Sequence, residues 1–137
     1  MRSWAGHMAD PAVVDACALV DLLLGSEHGR LVGGVLDGFD ALHAPAHVDA
    51  EVLSALGRLQ RAGSIRVGVV SSRLEALARA PLERHALPAL LLGAWRRRGR
   101  LRLVDALYVE LADTLGATLV TTDARLAAAA GVPAIAP

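Results

Sequence analysis

The stretch AVVDACALVDLLLG, Ala12–Gly25, decides the fold. Two β-branched residues, Val13 and Val14, run directly into Asp15, and an apolar segment with helical spacing follows at once. An Asp after a strand can cap the next helix, because its carboxylate accepts hydrogen bonds from the free N–H groups of the first turn. It can also be a metal ligand. The stretch therefore predicts a strand joined directly to a helix, and it leaves the role of the acid open.

The same order of strand, acid and helix returns in ATLVTTD, Ala117–Asp123. Between and beyond these two stretches, apolar periodicity and Gly or Pro positions predict alternating strands and helices. The predicted strands are Val13–Val14, Ala41–Ala44, Pro81–His85, Ala117–Thr122 and Val132–Ile135, and the predicted helices are Leu19–Leu24, Leu31–Phe39, His47–Ala62, Val67–Ala80, Pro88–Arg98, Leu103–Leu115 and Ala124–Ala130.

This alternation predicts an α/β fold of three layers, with a central, mostly parallel sheet between helices. Ligands of such sheets collect beyond the carboxyl ends of the strands. Asp15 and Asp123 both follow a strand, so we expect them to meet at that edge. Each alone is more typical of a helix cap than of a ligand.

Length and composition indicate one globular domain. The chain has 137 residues, of which 54% are hydrophobic and 20% charged, and this excludes a disordered protein. We expect a domain over residues 12–137 and an N-terminal extension or expression-tag remnant over residues 1–11. No apolar run has the length of a membrane span, the N-terminus lacks the apolar core of a signal peptide, and a single cysteine, Cys17, suits a reducing compartment. A cytoplasmic location without membrane contact is therefore expected.

The cationic residues are all arginine. The 14 positive and 14 negative side chains balance, and the absence of Lys excludes a P-loop and Schiff-base chemistry. Five arginines lie in WRRRGRLR, Trp95–Arg102. They form either a solvated helix end or a surface that contacts RNA phosphates, since the guanidinium fork matches phosphate geometry. The candidate RNA-binding residues are Arg96, Arg97, Arg98, Arg100 and Arg102.

Resemblance to one family lies in three ordered segments: VVDACALVDLLL, HAPAHVDAEVLSALGRLQRAG and RLVDALYVELADTLGATLVTTDARLAAAAG. In this order and spacing they resemble the successive motifs of PIN-domain ribonucleases of the VapC toxin type. The resemblance extends over nearly the whole chain, from Val13 to Pro133. Any one motif is weak, but the ordered set is specific. It implies a PIN-like domain.

The resemblance places the family's four acids on Asp15, Glu51, Asp105 and Asp123. It implies Mg²⁺ or Mn²⁺ as cofactor, because hard divalent cations prefer oxygen ligands. Asp15, Asp105 and Asp123 are the expected ligands of the first ion. Glu51 would serve a second ion or hold the attacking water, and Thr121 is a candidate hydrogen-bond donor behind the ligands.

Each acid also has a structural interpretation. Glu51 lies near the edge of an apolar helix face and could be solvated. Asp105 falls in a first helical turn, where the helix dipole favours an acid. Helical periodicity does not exclude three other acids in place of these: Asp21, Asp49 and Asp113.

By resemblance the protein is an endoribonuclease toxin that cleaves structured RNA, often a tRNA loop. The resemblance also implies a homodimer and a cognate VapB-type antitoxin that inserts a basic peptide into the acidic site. One alternative is a non-catalytic PIN-like binding module that captures such a basic peptide. A phosphatase or phosphotransferase is the other alternative, and the lack of Lys and of an Asp-x-Asp motif argues against it.

The chain departs from the family pattern at three positions. Cys17 stands where the family has Ser or Thr, Val104 where Tyr is frequent, and Arg100 where Asn is common. Cys17 has no partner that would make it a nucleophile, and it is interpreted as a core residue. His43 and His47 are four residues apart, but Pro45 between them disfavours a shared helix face, so no zinc site is expected.

Overall fold

The fold is built on a five-stranded parallel sheet. The computed structural model describes residues 10–137. The strands run in the order β3-β2-β1-β4-β5, and all neighbouring pairs are parallel. They are β1 Pro11–Val14, β2 Ala41–Pro45, β3 Leu82–His85, β4 Thr118–Val120 and β5 Ala134–Ile135. The expected N-terminal extension lies outside the described residues except for Asp10 and Pro11, of which Pro11 already belongs to β1.

Helices flank this sheet and complete the predicted α/β architecture. They are α1 Ala16–Leu24, α2 Glu27–Leu36, α3 Val48–Arg61, α4 Val67–Arg79, α5 Leu91–Arg96, α6 Leu103–Leu115 and α7 Ala124–Ala129. Helix α6 packs against β1, β2 and β4 and also against α5. Helices α1, α2, α3 and α4 pack against one another. In the described part of the chain, no helix has both the length and the apolar character that crossing a membrane requires.

The two central strands explain why the site forms where it does. Val13 and Val14 of β1 and Leu119 and Val120 of β4 are fully buried. Strands covered on both faces consist of continuous apolar residues, as both quoted stretches do. Since β1 and β4 are parallel neighbours with Val14 opposite Val120, the residues that follow them emerge at the same edge.

Several predicted boundaries were wrong, and the reasons are local. Helix α1 begins at Ala16 rather than Leu19, because Asp15 caps it by accepting from the Ala18 N–H at 3.0 Å. Helix α2 begins at Glu27, because the Ser26 hydroxyl accepts from the Gly29 N–H at 2.9 Å. The segment predicted as one helix over Pro88–Arg98 is a 3-10 turn, Pro88–Leu90, followed by the short α5.

The other differences are small. The pairing of β4 covers Thr118–Val120 of the predicted Ala117–Thr122, and that of β5 covers Ala134–Ile135. The long helix predicted over His47–Ala62 is α3, with Val48, Val52 and Leu56 fully buried on its inner face.

Candidate active site

The carboxyl edge of the sheet opens into a pocket of about 590 Å³, and all four predicted acids line it. Each acid comes from a different part of the fold. Asp15 follows β1, Glu51 lies in the first turn of α3, Asp105 lies in the first turn of α6, and Asp123 follows β4. Residues separated by up to 108 positions are thus brought to one place by the parallel topology.

Asp15 both caps a helix and lines the pocket, so its capping role is compatible with the ligand role, which stays a prediction. It is 4% exposed. Its carboxylate accepts from the Ala18 N–H, from the Thr121 hydroxyl and from the Cys17 thiol. Burial raises the pKa of Asp15, the three hydrogen bonds lower it in part, and the charge of Asp105 raises it further.

Thr121 links the two strand-end acids. Its side chain is fully buried, and its hydroxyl donates to Asp15 and accepts from the Asp123 N–H at 3.0 Å. Asp123 itself is exposed and caps α7, accepting from the N–H groups of Arg125 at 2.9 Å and Leu126 at 3.3 Å. Thr121 therefore contacts both strand-end acids, and its role behind a bound metal ion stays a prediction.

Asp105 lines the same pocket from the first turn of α6. Partial burial raises the pKa of Asp105, and the neighbouring charges of Glu51 and Asp123 raise it further, whereas the Arg102 guanidinium lowers it. The pKa of Asp105 is therefore raised mainly by burial and further by the carboxylates that share its pocket. A divalent cation would reverse this effect, because it favours the ionised form of each.

Tyr108 is a site residue that the sequence analysis missed. It is 1% exposed, and its hydroxyl donates to Glu51 Oε1 at 2.6 Å. Burial and the hydrogen bond to Glu51 raise the pKa of Tyr108, so the phenol keeps its proton and remains a donor. Its position three residues after Asp105, on the same helix face, was the available signal.

His47 contacts the same oxygen of Glu51 as Tyr108 does, with its Nε2 3.3 Å from Glu51 Oε1. The same His47 nitrogen lies 3.1 Å from the Val104 carbonyl oxygen at the start of α6. His47 therefore connects the beginnings of the two helices that carry Glu51 and Asp105.

The interpretation of Cys17 as a core residue was wrong. The residue is exposed and lines the pocket, and its sulfur contacts Asp15 Oδ1 at 3.0 Å and Oδ2 at 3.1 Å. Desolvation of the sulfur and the adjacent Asp15 charge raise the pKa of the thiol. Cys17 thus stays protonated and donates to Asp15.

The five arginines between Arg96 and Arg102 differ in their contacts. Arg102 lines the pocket. Arg97 is paired with Glu110 at 2.9 Å and Asp113 at 3.0 Å, and Arg96 is exposed.

The remaining two arginines of the run lie against the protein. Arg98 stacks over the Trp95 ring, 4.6 Å from its centroid, and Arg100 donates to the Ala129 carbonyl at 2.9 Å. Arg58 of α3, which the sequence analysis did not single out, also lines the pocket. RNA contact by the run stays a prediction.

The three alternative acids, Asp21, Asp49 and Asp113, also differ in their contacts. Asp49 is paired with Arg84 at 3.0 Å and Asp113 with Arg97, whereas Asp21 lines the pocket. Two of the three are therefore engaged in ion pairs elsewhere.

The donors of the pocket fit a hard divalent cation, since its acids offer carboxylate oxygens. Within residues 10–137, one set of three potential ligands has its donor atoms all within 4.8 Å of one another, and it lies elsewhere, at His43, Glu83 and His85. The pocket acids are thus spaced more widely than the ligands of a fully dehydrated ion. Mg²⁺ retains several of its waters when it binds, and waters between the ion and the more distant carboxylates suit this wider spacing.

Comparison with known proteins identifies the family of this chain. A profile of the PIN domain matches residues 12–132, and the chain therefore belongs to the PIN-domain family. Ribonuclease VapC3 of Mycobacterium tuberculosis is 53% identical over 129 residues, covering 94% of both chains. Ribonuclease VapC1 of the same organism is 38% identical over 125 residues, covering 90% of this chain and 94% of the relative. These identities confirm the resemblance to VapC-type ribonucleases.

Solved structures confirm the fold. PAE2754 from Pyrobaculum aerophilum superposes with a TM-score of 0.70 at 24% identity and covers 97% of this chain and 88% of its own. VapC20 of Mycobacterium tuberculosis, described as a sarcin-ricin loop cleaving toxin, superposes with a TM-score of 0.69 at 17% identity, covering 92% of this chain and 99% of its own.

Proposed function

We propose that this protein is a Mg²⁺- or Mn²⁺-dependent endoribonuclease toxin that cleaves structured RNA, with tRNA loops as the expected substrate class. One observation carries the proposal: carboxylates from four separate elements line one pocket at the carboxyl edge of the sheet. PIN domains are metal-dependent nucleases, and the curated relatives are named ribonucleases.

The acids divide into roles by position. Asp15, Asp105 and Asp123 would hold the first ion, and Glu51 a second ion or the attacking water. A bound divalent ion lowers the pKa of a coordinated water and neutralises charge that develops on the phosphoryl oxygens. Glu51 is suited to orient a water, because Tyr108 fixes one carboxylate oxygen through a 2.6 Å hydrogen bond.

RNA is expected to reach this acidic pocket along its arginines. Arg102 and Arg58 line it, and the rest of the run, Arg96, Arg97, Arg98 and Arg100, lies just before Arg102 in the chain. A guanidinium beside the acids would grip a phosphate next to the scissile bond. Aromatic residues make up 3% of the chain, so base stacking is scarce and recognition would depend on the shape of the RNA.

Neutralisation by a cognate VapB-type antitoxin fits the same electrostatics. The Arg102 guanidinium already lowers the pKa of Asp105, so a basic side chain in the pocket stabilises the ionised acids. An arginine supplied by the antitoxin would do this in place of the metal ion. Capture of a basic peptide without cleavage is the alternative function, and it uses the same pocket.

A homodimer is supported by exposed apolar side chains on α5 and the start of α6. A second copy of this chain would cover them, since large apolar patches on soluble proteins mark interaction sites. Their exposures range from 39% to 62%, in Leu91, Leu92, Trp95, Leu103 and Val104. We place the protein in the cytoplasm, where RNA and antitoxin are both present.

The decisive experiment is cleavage of a structured RNA by the purified protein, with the new ends sequenced. Cleavage should need Mg²⁺ or Mn²⁺, stop in EDTA, and leave 5′-phosphate and 3′-hydroxyl ends. Cleavage that persists in EDTA would refute the proposed metal dependence. A protein that binds a basic peptide but cleaves no RNA with either metal would instead support the binding module.

A further inference from the structure

A second set of ligand-type side chains lies on the β2–β3 edge of the sheet. His43 of β2 is directly opposite Glu83 of β3 in the parallel register, and His85 follows two residues later. Because side chains alternate along a strand, all three project from the same face. None of the three lines the acidic pocket.

The donor atoms of this set converge on one point. His43 Nδ1 lies 2.9 Å from His85 Nε2 and 3.3 Å from Glu83 Oε2. All three donor atoms are within 4.8 Å of one another. Ligands bound about 2.0–2.1 Å from a tetrahedral zinc ion lie roughly 3.3–3.4 Å apart, so small movements of two rings would complete the coordination.

The surroundings of the three residues also suit a metal. The His43 side chain is 12% exposed, and that of Glu83 is 67% exposed, so the set is anchored on one side and open to solvent on the other. Burial and the neighbouring His85 lower the pKa of His43, while Glu83 raises it.

We propose that His43, Glu83 and His85 bind a transition-metal ion of the zinc class, with a solvent molecule in the remaining position. Two imidazoles with a carboxylate form a nitrogen-rich donor set, which selects zinc over Mg²⁺. The bound ion joins the edge strand β3 to β2. It also fixes the turn before α3, because the His85 carbonyl accepts from the Ala46 N–H at 2.7 Å.

Zinc binding to the purified full chain, measured by equilibrium dialysis and by thermal melts, tests this site. Wild type should bind one zinc ion outside the acidic pocket and melt roughly 5–10 °C higher when free zinc is about 100 times the dissociation constant. Glu83→Gln and His85→Ala should each weaken this binding at least tenfold. Glu83→Gln changes an exposed side chain, so it tests the site even where His85→Ala disturbs folding.

Matched controls separate this site from the acidic pocket. Glu75→Gln alters an exposed glutamate of α4, and His28→Ala alters an exposed histidine of α2, so both should bind zinc as wild type does. Asp105→Asn removes a carboxylate from the acidic pocket and Cys17→Ser removes its thiol, and both variants should leave the proposed site intact. With Co²⁺ as a spectroscopic probe, the tetrahedral absorption should persist in these two variants and be lost in Glu83→Gln.

Three results would overturn the proposal. One is a wild-type protein that takes up no zinc, which would leave a hydrogen-bonded histidine pair. Another is zinc affinity unchanged in both Glu83→Gln and His85→Ala. The third is binding lost in Asp105→Asn or Cys17→Ser alone, which would place the ion in the acidic pocket.

Discussion

The acidic pocket has a buried floor and a more exposed rim. Asp15 and Tyr108 line the floor and are at most 4% exposed, and Thr121 is fully buried behind Asp15. The rim consists of the half-buried Asp105 and the exposed Asp123 and Arg102. On the floor every polar group meets a fixed donor or acceptor, as Asp15 does with Thr121. On the rim the acids face solvent and one another.

This difference shows that two acids in similar positions after a strand can have different environments. Asp15 and Asp123 both cap a helix after a buried strand, but only the first is enclosed. Burial raises the pKa of Asp15, and a nearby cation would favour its ionised form. The floor therefore holds its carboxylate in a fixed place, whereas the rim acids have fewer fixed contacts.

The largest expected effect is on cleavage. Asp15→Asn keeps the size and capping ability of the side chain but removes its charge, so the rate should fall by at least about 100-fold. Asp105→Asn should act alike. Asp113→Asn is the matched control on α6, outside the pocket, and should cleave nearly as wild type does in an initial-rate assay. Wild-type rates in Asp15→Asn would show that the floor is only a cap.

The next effect concerns how the rim grips RNA. Arg102→Gln should reduce the salt slope of RNA binding by about 0.7–0.9, since one phosphate contact is lost. Arg97→Gln should leave the slope unchanged, because Arg97 is paired with Glu110 and Asp113. Binding titrations over a salt series measure both slopes.

Other outcomes of that titration are equally informative. A lower slope in Arg97→Gln would mean that Arg97 leaves its acids to bind phosphate. If none of the five arginines of the run alters the slope, the run is a solvated surface.

A smaller effect, on the free energy of unfolding, distinguishes an acid that caps a helix from an acid that is repelled by neighbouring carboxylates. In EDTA near neutral pH, Asp123→Ala should lower the free energy of unfolding by about 1 kcal/mol, because it leaves two N–H groups of α7 uncapped. Asp105→Ala should leave that free energy unchanged or raise it, because Asp105 caps nothing and its pKa is raised. Urea unfolding of both variants measures the difference.

The pH dependence provides the control. A raised folded pKa means that the stability linked to Asp105 is present below its ordinary value of 3.8 and is lost as pH rises through the folded value. Asp105→Ala should therefore lose less stability than wild type over that range. Added Mg²⁺ should stabilise wild type more than either variant. Equal destabilisation of both variants in EDTA would contradict this distinction.

The smallest effect is expected at Cys17. Cys17→Ser replaces a weak donor to Asp15 with a stronger one, so the free energy of unfolding should change by no more than about 0.5 kcal/mol. Cleavage should be at least as fast as in wild type. Cys17→Ala is the matched control without a donor and should cleave more slowly than Cys17→Ser. Equal rates in the two variants would show that the hydrogen bond to Asp15 has no part in activity.

The sequence predicted the order of strands and helices well, because buried strands and amphipathic helices have their own periodicities. Boundaries failed where one side chain decided them, as Asp15 and Ser26 did at the starts of α1 and α2. Tyr108 was missed because a buried tyrosine in an apolar helix has the same pattern as a core residue. Its role depends on Glu51, which is 57 residues away.

The sequence by itself determined the parallel α/β architecture, the two strand-end aspartates and the family. Each of these is indicated by a local residue pattern or by the order of the motifs. Only the tertiary structure decided which groups meet. It brought Cys17 and Thr121 to Asp15, divided the arginine run, and paired His43 with His85 rather than with His47. The physical reason is that strand register and helix packing join residues far apart in the chain, and no periodicity encodes those distances.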